Sequence, residues 1–305
     1  MDATTETPIL APDTAATFLR AIELTPVDGP ADASFEATTQ YVPWPKAYGG
    51  DMTAQATAAM QATVGADRAL HSLHSYFMRP VDIGAPVRYD VETLRDGRGY
   101  STRSVRAVQN GKTAFTAMGS FHVPEEGPEF QQQAPAVVEP ETLLTAAEAL
   151  EGAAADVAYG PAAEYWAHGR SFDMRHVPGP VYVSSDGTRS SSQAVWVRAF
   201  SALPDAGDAK ATADLHRTAL AYVCDYTILE TLLRVRGLNW SSQGLATASL
   251  DHAMWFHRAA RADGWILYAQ DAVSVQDNRG LALGRFFDRD GRLLATVAQE
   301  GMIRG

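Results

Sequence analysis

Residues 249–258 read Ser-Leu-Asp-His-Ala-Met-Trp-Phe-His-Arg and place a hydroxyl, an acid, two histidines and two aromatics in one short stretch. At the two-residue period of a strand, Ser249, Asp251, Ala253, Trp255 and His257 share one face, and Leu250, His252, Met254, Phe256 and Arg258 the other. Neither face is simply apolar. Buried polar groups need partners, so the stretch is either a half-buried strand with every side chain satisfied or the wall of a site. Asp225 is the second candidate. It lies in a segment, 213–235, where Leu215, Ala219, Tyr222, Tyr226, Leu229 and Leu233 recur at helical steps, and it shares a face with Ala221, Tyr222, Leu229 and Leu232. A carboxylate on such a face is costly unless hydrogen-bonded, and burial raises its pKa toward the range useful to a general base. It therefore either takes a proton from a reacting group or anchors a loop or an arginine from the core side. Asp51 follows Gly49-Gly50 at the head of another helix, where an acid is favoured by the free N–H groups and the dipole. It is either a cap or the base of a second site. The single cysteine, Cys224, reads as an inert core thiol. His71, His74, His252 and His257 alternate along strands of two separate units without a third ligand at metal-binding spacing. They read as braces of the sheet, and neither a metal nor a bound cofactor is expected. Trp255, Phe256 and Tyr268 read as core side chains first and as walls of an apolar pocket second.

These residues need elements to hold them. Residues 14–24 carry Ala16, Leu19 and Ile22 at helical spacing, and a strand is expected over about 34–41. Pro43, Pro45 and Gly49-Gly50 then break the chain before a helix over about 51–64, whose alanines permit close packing beneath a sheet. Strands follow at 69–78, 87–95, 100–108 and 112–123, the last two joined through Asn110-Gly111, a strong tight-hairpin signal. From 124 to about 160 the texture turns to Glu, Pro, Gln and Ala, which reads as a linker with one short helix. A strand at 191–200 opens a second unit, continued by the 213–235 helix and strands at 249–257, 265–275, 281–288 and 293–303. The two units match at a shift of about 180 residues: Tyr76-Phe77-Met78-Arg79 against Trp255-Phe256-His257-Arg258, and Asn110-Gly111-Lys112 against Asp290-Gly291-Arg292. An internal duplication predicts a pseudo-dimer with two equivalent site positions, which need not both work.

The chain of 305 residues suffices for two ordinary domains, and a 46% hydrophobic fraction fits a folded globular protein. No apolar run approaches the roughly 20 residues of a membrane helix, so no membrane insertion is expected. Residues 1–12 are acidic and Thr-rich without a signal-peptide pattern, and a cytoplasmic location is expected. A net charge of −11 argues against nucleic acid as a partner. Phosphates could still be held locally, because Arg95, Arg98, Arg103, Arg106, Arg279 and Arg285 gather around the long strands.

The words "LDHAMWFHR", "WILYAQDAVSVQDNRG" and "GRFFDRDGRLLATVAQEGMIR", running in order to residue 304, resemble type II acyl-CoA thioesterases, the double-hotdog family. The blocks "YGGDMTAQA", "LHSLHSYFMRP", "YDVETLRDGRGYSTRSVRAVQNGK" and "GSFH" resemble its N-terminal half. The resemblance implies an α+β fold of two tandem hotdogs, each a long helix wrapped by an antiparallel sheet. The expected divisions are a tail and short helix over 1–30, an N-terminal hotdog over 31–123, a linker over 124–165 and a C-terminal hotdog over 166–305. It also implies that an Asp on the second helix, a Ser or Thr at the head of the next strand and a Gln in the last strand bind the attacking water. Those positions fall here on Asp225, Ser249 and Gln299.

Asp51 departs from the Gln frequent at its position in the family and makes a second or vestigial site conceivable. Gly50, Arg279 and Gly280 are expected to contact substrate. Hotdog hydratases carry a Gly-Asp-x-Asn-Pro-x-x-His segment, but "GGDMTAQA" has neither the Asn-Pro nor the His. The implied function is hydrolysis of acyl-CoA to free fatty acid and CoA, in a chain that pairs as a homo-oligomer. Two rivals stay open: a thioesterase for a branched, aromatic or polyketide-type thioester, and a non-catalytic binder of acyl-CoA or acyl-carrier protein.

Overall fold

The computed structural model describes residues 15–151 and 160–305. The expected tail over residues 1–12 therefore lies outside the described residues. The first half contains α1 (Ala16–Ala21), β1 (Thr25–Pro26), β2 (Ala33–Thr38), α2 (Gly49–Gln61), β3 (Ala69–Phe77), β4 (Pro86–Asp96), β5 (Tyr100–Gln109) and β6 (Lys112–His122). Two short helices, α3 (Ala146–Ala149) and α4 (Gly160–Glu164), lead into the second half. That half contains β7 (Phe172–Val177), β8 (Ser192–Ala199), α5 (Ala209–Val223), α6 (Glu230–Arg236), β9 (Ala246–Ser249), β10 (Asp251–Phe256), β11 (Ile266–Gln276), β12 (Arg279–Asp288) and β13 (Leu293–Arg304).

The strands form one continuous antiparallel sheet in the order β1-β2-β4-β5-β6-β3-β10-β13-β12-β11-β8-β7, with β9 paired to β13. The halves meet where β3 pairs with β10, and there the duplication becomes geometry. Asp251 lies opposite Tyr76 and Trp255 opposite Ser72, two pairs that exchange when the halves are swapped. The alanine-rich helix packs as expected: Ala54, Ala56, Ala59 and Met60 of α2 are wholly buried under its sheet. Burying such a face contributes about 25 cal/mol per Å² of apolar surface, whereas an alanine's small volume lets helix and sheet approach.

Three local features differ from the sequence expectation, and each has a physical cause. First, the helix expected over 213–235 is broken: α5 ends at Val223, a single 3-10 turn covers Cys224–Tyr226, and α6 starts at Glu230. Carbonyls in the break take side-chain donors from elsewhere. The Tyr48 hydroxyl donates to Tyr222 O, the Tyr268 hydroxyl to Cys224 O and Gln193 Nε2 to Thr227 O.

Second, residue 250 is an extra residue between β9 and β10. Ser249 lies opposite Gly301, but from Ala253 opposite Ala298 the register has moved by one, and the Asp251 carboxylate takes the freed Glu300 N–H at 2.8 Å. Such a bulge reverses which face the preceding residue addresses. Ser249 therefore joins His252 on the helix side, not the face of Trp255. Trp255 points outward and is part-exposed, a correction to its reading as core, while Phe256 and Tyr268 are buried.

Third, β7 was not expected. Its Phe172, Met174 and His176 are buried, and so is Asp173 on the other face, which hides a two-residue alternation.

The segment expected as a linker with one short helix also covers part of the sheet. Ala134, Val137 and Leu143 pack on Trp196, Trp265, Leu267 and Phe287, and the Trp196 indole donates to Val138 O. It lies over the outer face of the second half's sheet.

Candidate active site

Asp225, Ser249 and Gln299 come together at one point. Asp225 Oδ1 accepts from Ser249 Oγ at 2.8 Å and from Gln299 Nε2 at 2.6 Å, and Gln299 Nε2 also lies 2.9 Å from Ser249 Oγ. Each element contributes through a feature just described. The helix break exposes the Asp225 side chain at a turn, the bulge re-aims Ser249, and the regular alternation of β13 points Gln299 inward. Thr227, two residues past Asp225, is pinned by Gln270 Nε2 of β11 at 2.6 Å, so a side chain from the second half's strands fixes the turn.

The fourth component comes from the other half. The backbone N–H of Gly50, in the first turn of α2, donates to the Asp225 carboxylate. A Cβ added to Gly49 would lie 2.5 Å from Asp225 Oδ2, and one added to Gly50 would lie 2.3 Å from Tyr222 O. Only glycines let the helix start come this close. A helix N-terminus carries free N–H groups and a positive end, suited to an anion.

Asp225 keeps partial contact with solvent but is surrounded by protein. Burial pushes its carboxyl up to about 6, against the lowering effect of the bonds from Gln299, Ser249 and Gly50. Near neutrality it is thus a carboxylate close to the point of accepting a proton. Cys224 is buried with its thiol pushed well above the ordinary value by burial and by Asp225, in agreement with an inert core thiol.

Asp51 has different company. Its carboxyl accepts from Gln40 N–H at 2.9 Å and from Gln40 Nε2 at 3.3 Å, and burial raises it to about 8. Met118 lies opposite His74 just as Ala298 lies opposite Ala253, which makes Gly119 the counterpart of Gln299 and places Leu70 at the level of Ser249. The first half therefore has neither hydroxyl nor amide at the positions of Ser249 and Gln299, and a Cβ on Gly119 would meet Met60 at 3.0 Å, nine residues along α2 from Asp51.

The remaining expected site residues lie elsewhere. A Cβ on Gly280 would meet the Leu232 methyls at 2.9 Å, so this glycine admits α6 onto the sheet. Arg279 is paired with Glu300 at 2.8 Å. Arg103, Arg106 and Arg285 are likewise engaged, with Asp96, Glu92 and Asp271.

The residue that sequence reasoning missed is His252, whose Nδ1 lies 2.9 Å from Gln299 Oε1. Its alternation with Met254 and Phe256 was a visible signal, but the strand period alone set it on the opposite face from Ser249.

Comparison with known proteins gives concordant matches. The acyl-CoA thioesterase N-terminal domain model matches residues 40–122 and the acyl-CoA thioesterase C-terminal domain model matches residues 140–303. Acyl-CoA thioesterase 2 of Haemophilus influenzae is 34% identical over 276 residues, covering 90% of this chain and 93% of that protein. Human acyl-coenzyme A thioesterase 8 is 35% identical over 288 residues, covering 93% and 87%. The crystal structure of an acyl-CoA thioesterase II from Mycobacterium marinum superposes with a TM-score of 0.72 at 31% identity, covering 93% of this chain and 97% of that one.

Proposed function

The chain belongs to the acyl-CoA thioesterase family, and from that premise we propose that Asp225 is the general base for its hydrolysis of acyl-CoA. The enzyme is a thioester hydrolase with the double-hotdog fold. The convergence of Asp225, Ser249 and Gln299 within 2.6–2.9 Å at the head of α2 carries the reading.

A water oxygen attacks the thioester carbonyl carbon while Asp225 takes its proton, and Ser249 and Gln299 fix its approach. The negative charge that develops on the carbonyl oxygen is received by N–H groups at the start of α2. The carbon–sulfur bond then breaks, and the proton held by Asp225 passes to the leaving thiolate, giving the free acid and CoA. No covalent intermediate is needed. The Asp51 half-site, whose carboxyl is taken up by the Gln40 N–H and amide and has no counterpart of Ser249 or Gln299, is vestigial for this chemistry. Gly50 serves through its N–H. Arg279 and Gly280 keep a place in substrate binding only if substrate displaces the Glu300 pairing. The units over 31–123 and 166–305 remain the working division of the pseudo-dimer.

The test is thiol release from acyl-CoAs of graded length, branching and aromaticity, followed across pH. Asp225 acts as a carboxylate, so kcat should fall as pH drops through about 6. Release from straight chains confirms the broad reading, and release from branched or aromatic thioesters alone selects the specialised one. Absence of release by folded protein that binds acyl-CoA makes it a binder.

A second copy of the chain is the partner that fits the outer face of the central strands. Tyr76 and Met118 are exposed there, and Trp255 sits edge-on against His74. The other half's outer face already carries the 129–143 segment. Light scattering should give twice the 32.8 kDa of one chain, and Trp255→Asp should return it to monomer. A monomeric wild type excludes the pairing. No described helix is long and apolar enough to cross a membrane. The cytoplasmic expectation is retained, and activity recovered only with membranes would remove it.

A further inference from the structure

We infer that His252 is a positioning residue of this reaction: its imidazole holds the Gln299 amide in the one orientation that serves Asp225 and Ser249. The inference rests on the Asp225 reading and deepens it.

Gln299 is completely buried, and its amide has two ends of nearly equal shape. In the structure Nε2 faces Asp225 Oδ1 and Ser249 Oγ, and Oε1 faces His252 Nδ1. Turned by half a rotation, the amide would set Oε1 against the Asp225 carboxylate, acceptor against acceptor, and Asp225 would lose a donor. The choice is made by whatever supplies a hydrogen to Oε1. Among the described residues that group is His252. An amide oxygen only accepts, so Nδ1 carries the hydrogen and Nε2 the lone pair.

On the other side of the ring Cys224 Sγ lies 3.7 Å from Nε2 while the thiol donates to Ala221 O at 3.3 Å, so the Gln299 side alone sets the tautomer. Cys224 immediately precedes Asp225, so the imidazole touches both the turn that carries the base and the amide that orients it. Its own place is fixed in turn: the Ser75 hydroxyl of the first half donates to His252 O at 3.1 Å, and β10 is held between β3 and β13. Burial lowers the imidazole to about 4, with His74 adding to the effect and Gln299 opposing it. The ring is therefore neutral wherever Asp225 is a carboxylate, and it holds one tautomer across the working range.

The decisive variants are His252→Phe, which fills the volume without a donor, and His252→Asn, whose amide nitrogen can stand where Nδ1 stood. We expect His252→Phe to lower kcat by about 10-fold or more with KM nearly unchanged, the signature of lost alignment in the transition state. His252→Asn should keep kcat within a few-fold of wild type. Combined with Gln299→Leu, which removes the amide, His252→Phe should cost nothing further. Nitrogen NMR of folded wild type should show the Nδ1-protonated neutral tautomer, a readout that survives if a variant fails to fold.

An Nε2-protonated ring, full kcat in His252→Phe, or an undiminished His252→Phe loss in the Gln299→Leu background would each overturn the inference. These results leave the Asp225 assignment intact. That assignment falls instead if Asp225→Asn retains activity.

Discussion

Asp225→Asn lowers kcat by at least about 10²-fold, the smaller end of a general-base effect, in protein that unfolds as cooperatively as wild type. The substitution keeps shape and an acceptor for Ser249 and Gln299 but cannot take the proton of water. Stopped or initial-rate assays of thiol release measure it, and near-wild-type turnover removes Asp225 from the mechanism. Asp51→Asn is its internal control and should leave kcat at pH 7 nearly unchanged. Asp51 should act on stability instead. Its folded value of about 8 stands above the ordinary 3.8, so between those values the folded chain holds a proton that the unfolded chain has lost. Stability then declines as pH rises from about 4 to about 8. A neutral Asn at 51 removes that decline, so the pH dependence of Tm should flatten over the same window. Equal kcat losses in the two variants would end the assignment of one working site.

Gly50→Ala should be nearly as damaging by a different route. The new Cβ would come 2.3 Å from Tyr222 O and from the Tyr48 ring, and a backbone carbonyl cannot swing aside. The start of α2 must therefore retreat from the end of α5. Overpacking of this kind costs about 1–3 kcal/mol. It also withdraws the Gly50 N–H from Asp225, and a displacement near 1 Å at a catalytic group can cost about 10²-fold in rate. Gly49→Ala provides the contrast. Its Cβ meets Asp225 Oδ2 at 2.5 Å, a side-chain atom that can rotate away. Turnover should fall while Tm moves less than in Gly50→Ala. Wild-type activity in Gly50→Ala would show that the approach of the two helices does not matter to the reaction.

The strands and hairpins were legible because their turns have their own chemistry. Asn110 and Gly111 both adopt positive φ, as a two-residue hairpin demands, and Gly291 does the same near β13. The hairpin at Asp277-Asn278 was less visible, since two non-glycine residues at positive φ give a weaker signal than Asn-Gly. That is why β12 begins earlier than expected, at Arg279. Asp225 stood out as a carboxylate on an apolar helix face, its partners Ser249 and Gln299 came from the family resemblance, and the convergence of the three is a matter of the coordinates.

Periodicity misplaced the surroundings. A period of two cannot register a single inserted residue, so it put Ser249 and His252 on opposite faces. A period of 3.6 carried the helix straight through Asp225, because the donors that release its carbonyls, Tyr48, Gln193 and Tyr268, are remote in sequence. The His252–Gln299 contact depends on both strands and on the bulge between them. It could not be read from either segment alone.

The helix start that reaches Asp225 belongs to the half of the chain that lacks a working trio. On the Asp225 reading, that half is indispensable to catalysis and yet released from performing it. Leu70 and Gly119 answer only to packing, while Gly49 and Gly50 answer to a carboxylate more than 170 residues away. If Asp225 is the base, duplication here means specialisation, one copy keeping the reactive groups and the other retained as the tool that shapes them. Neither copy is a smaller version of the enzyme.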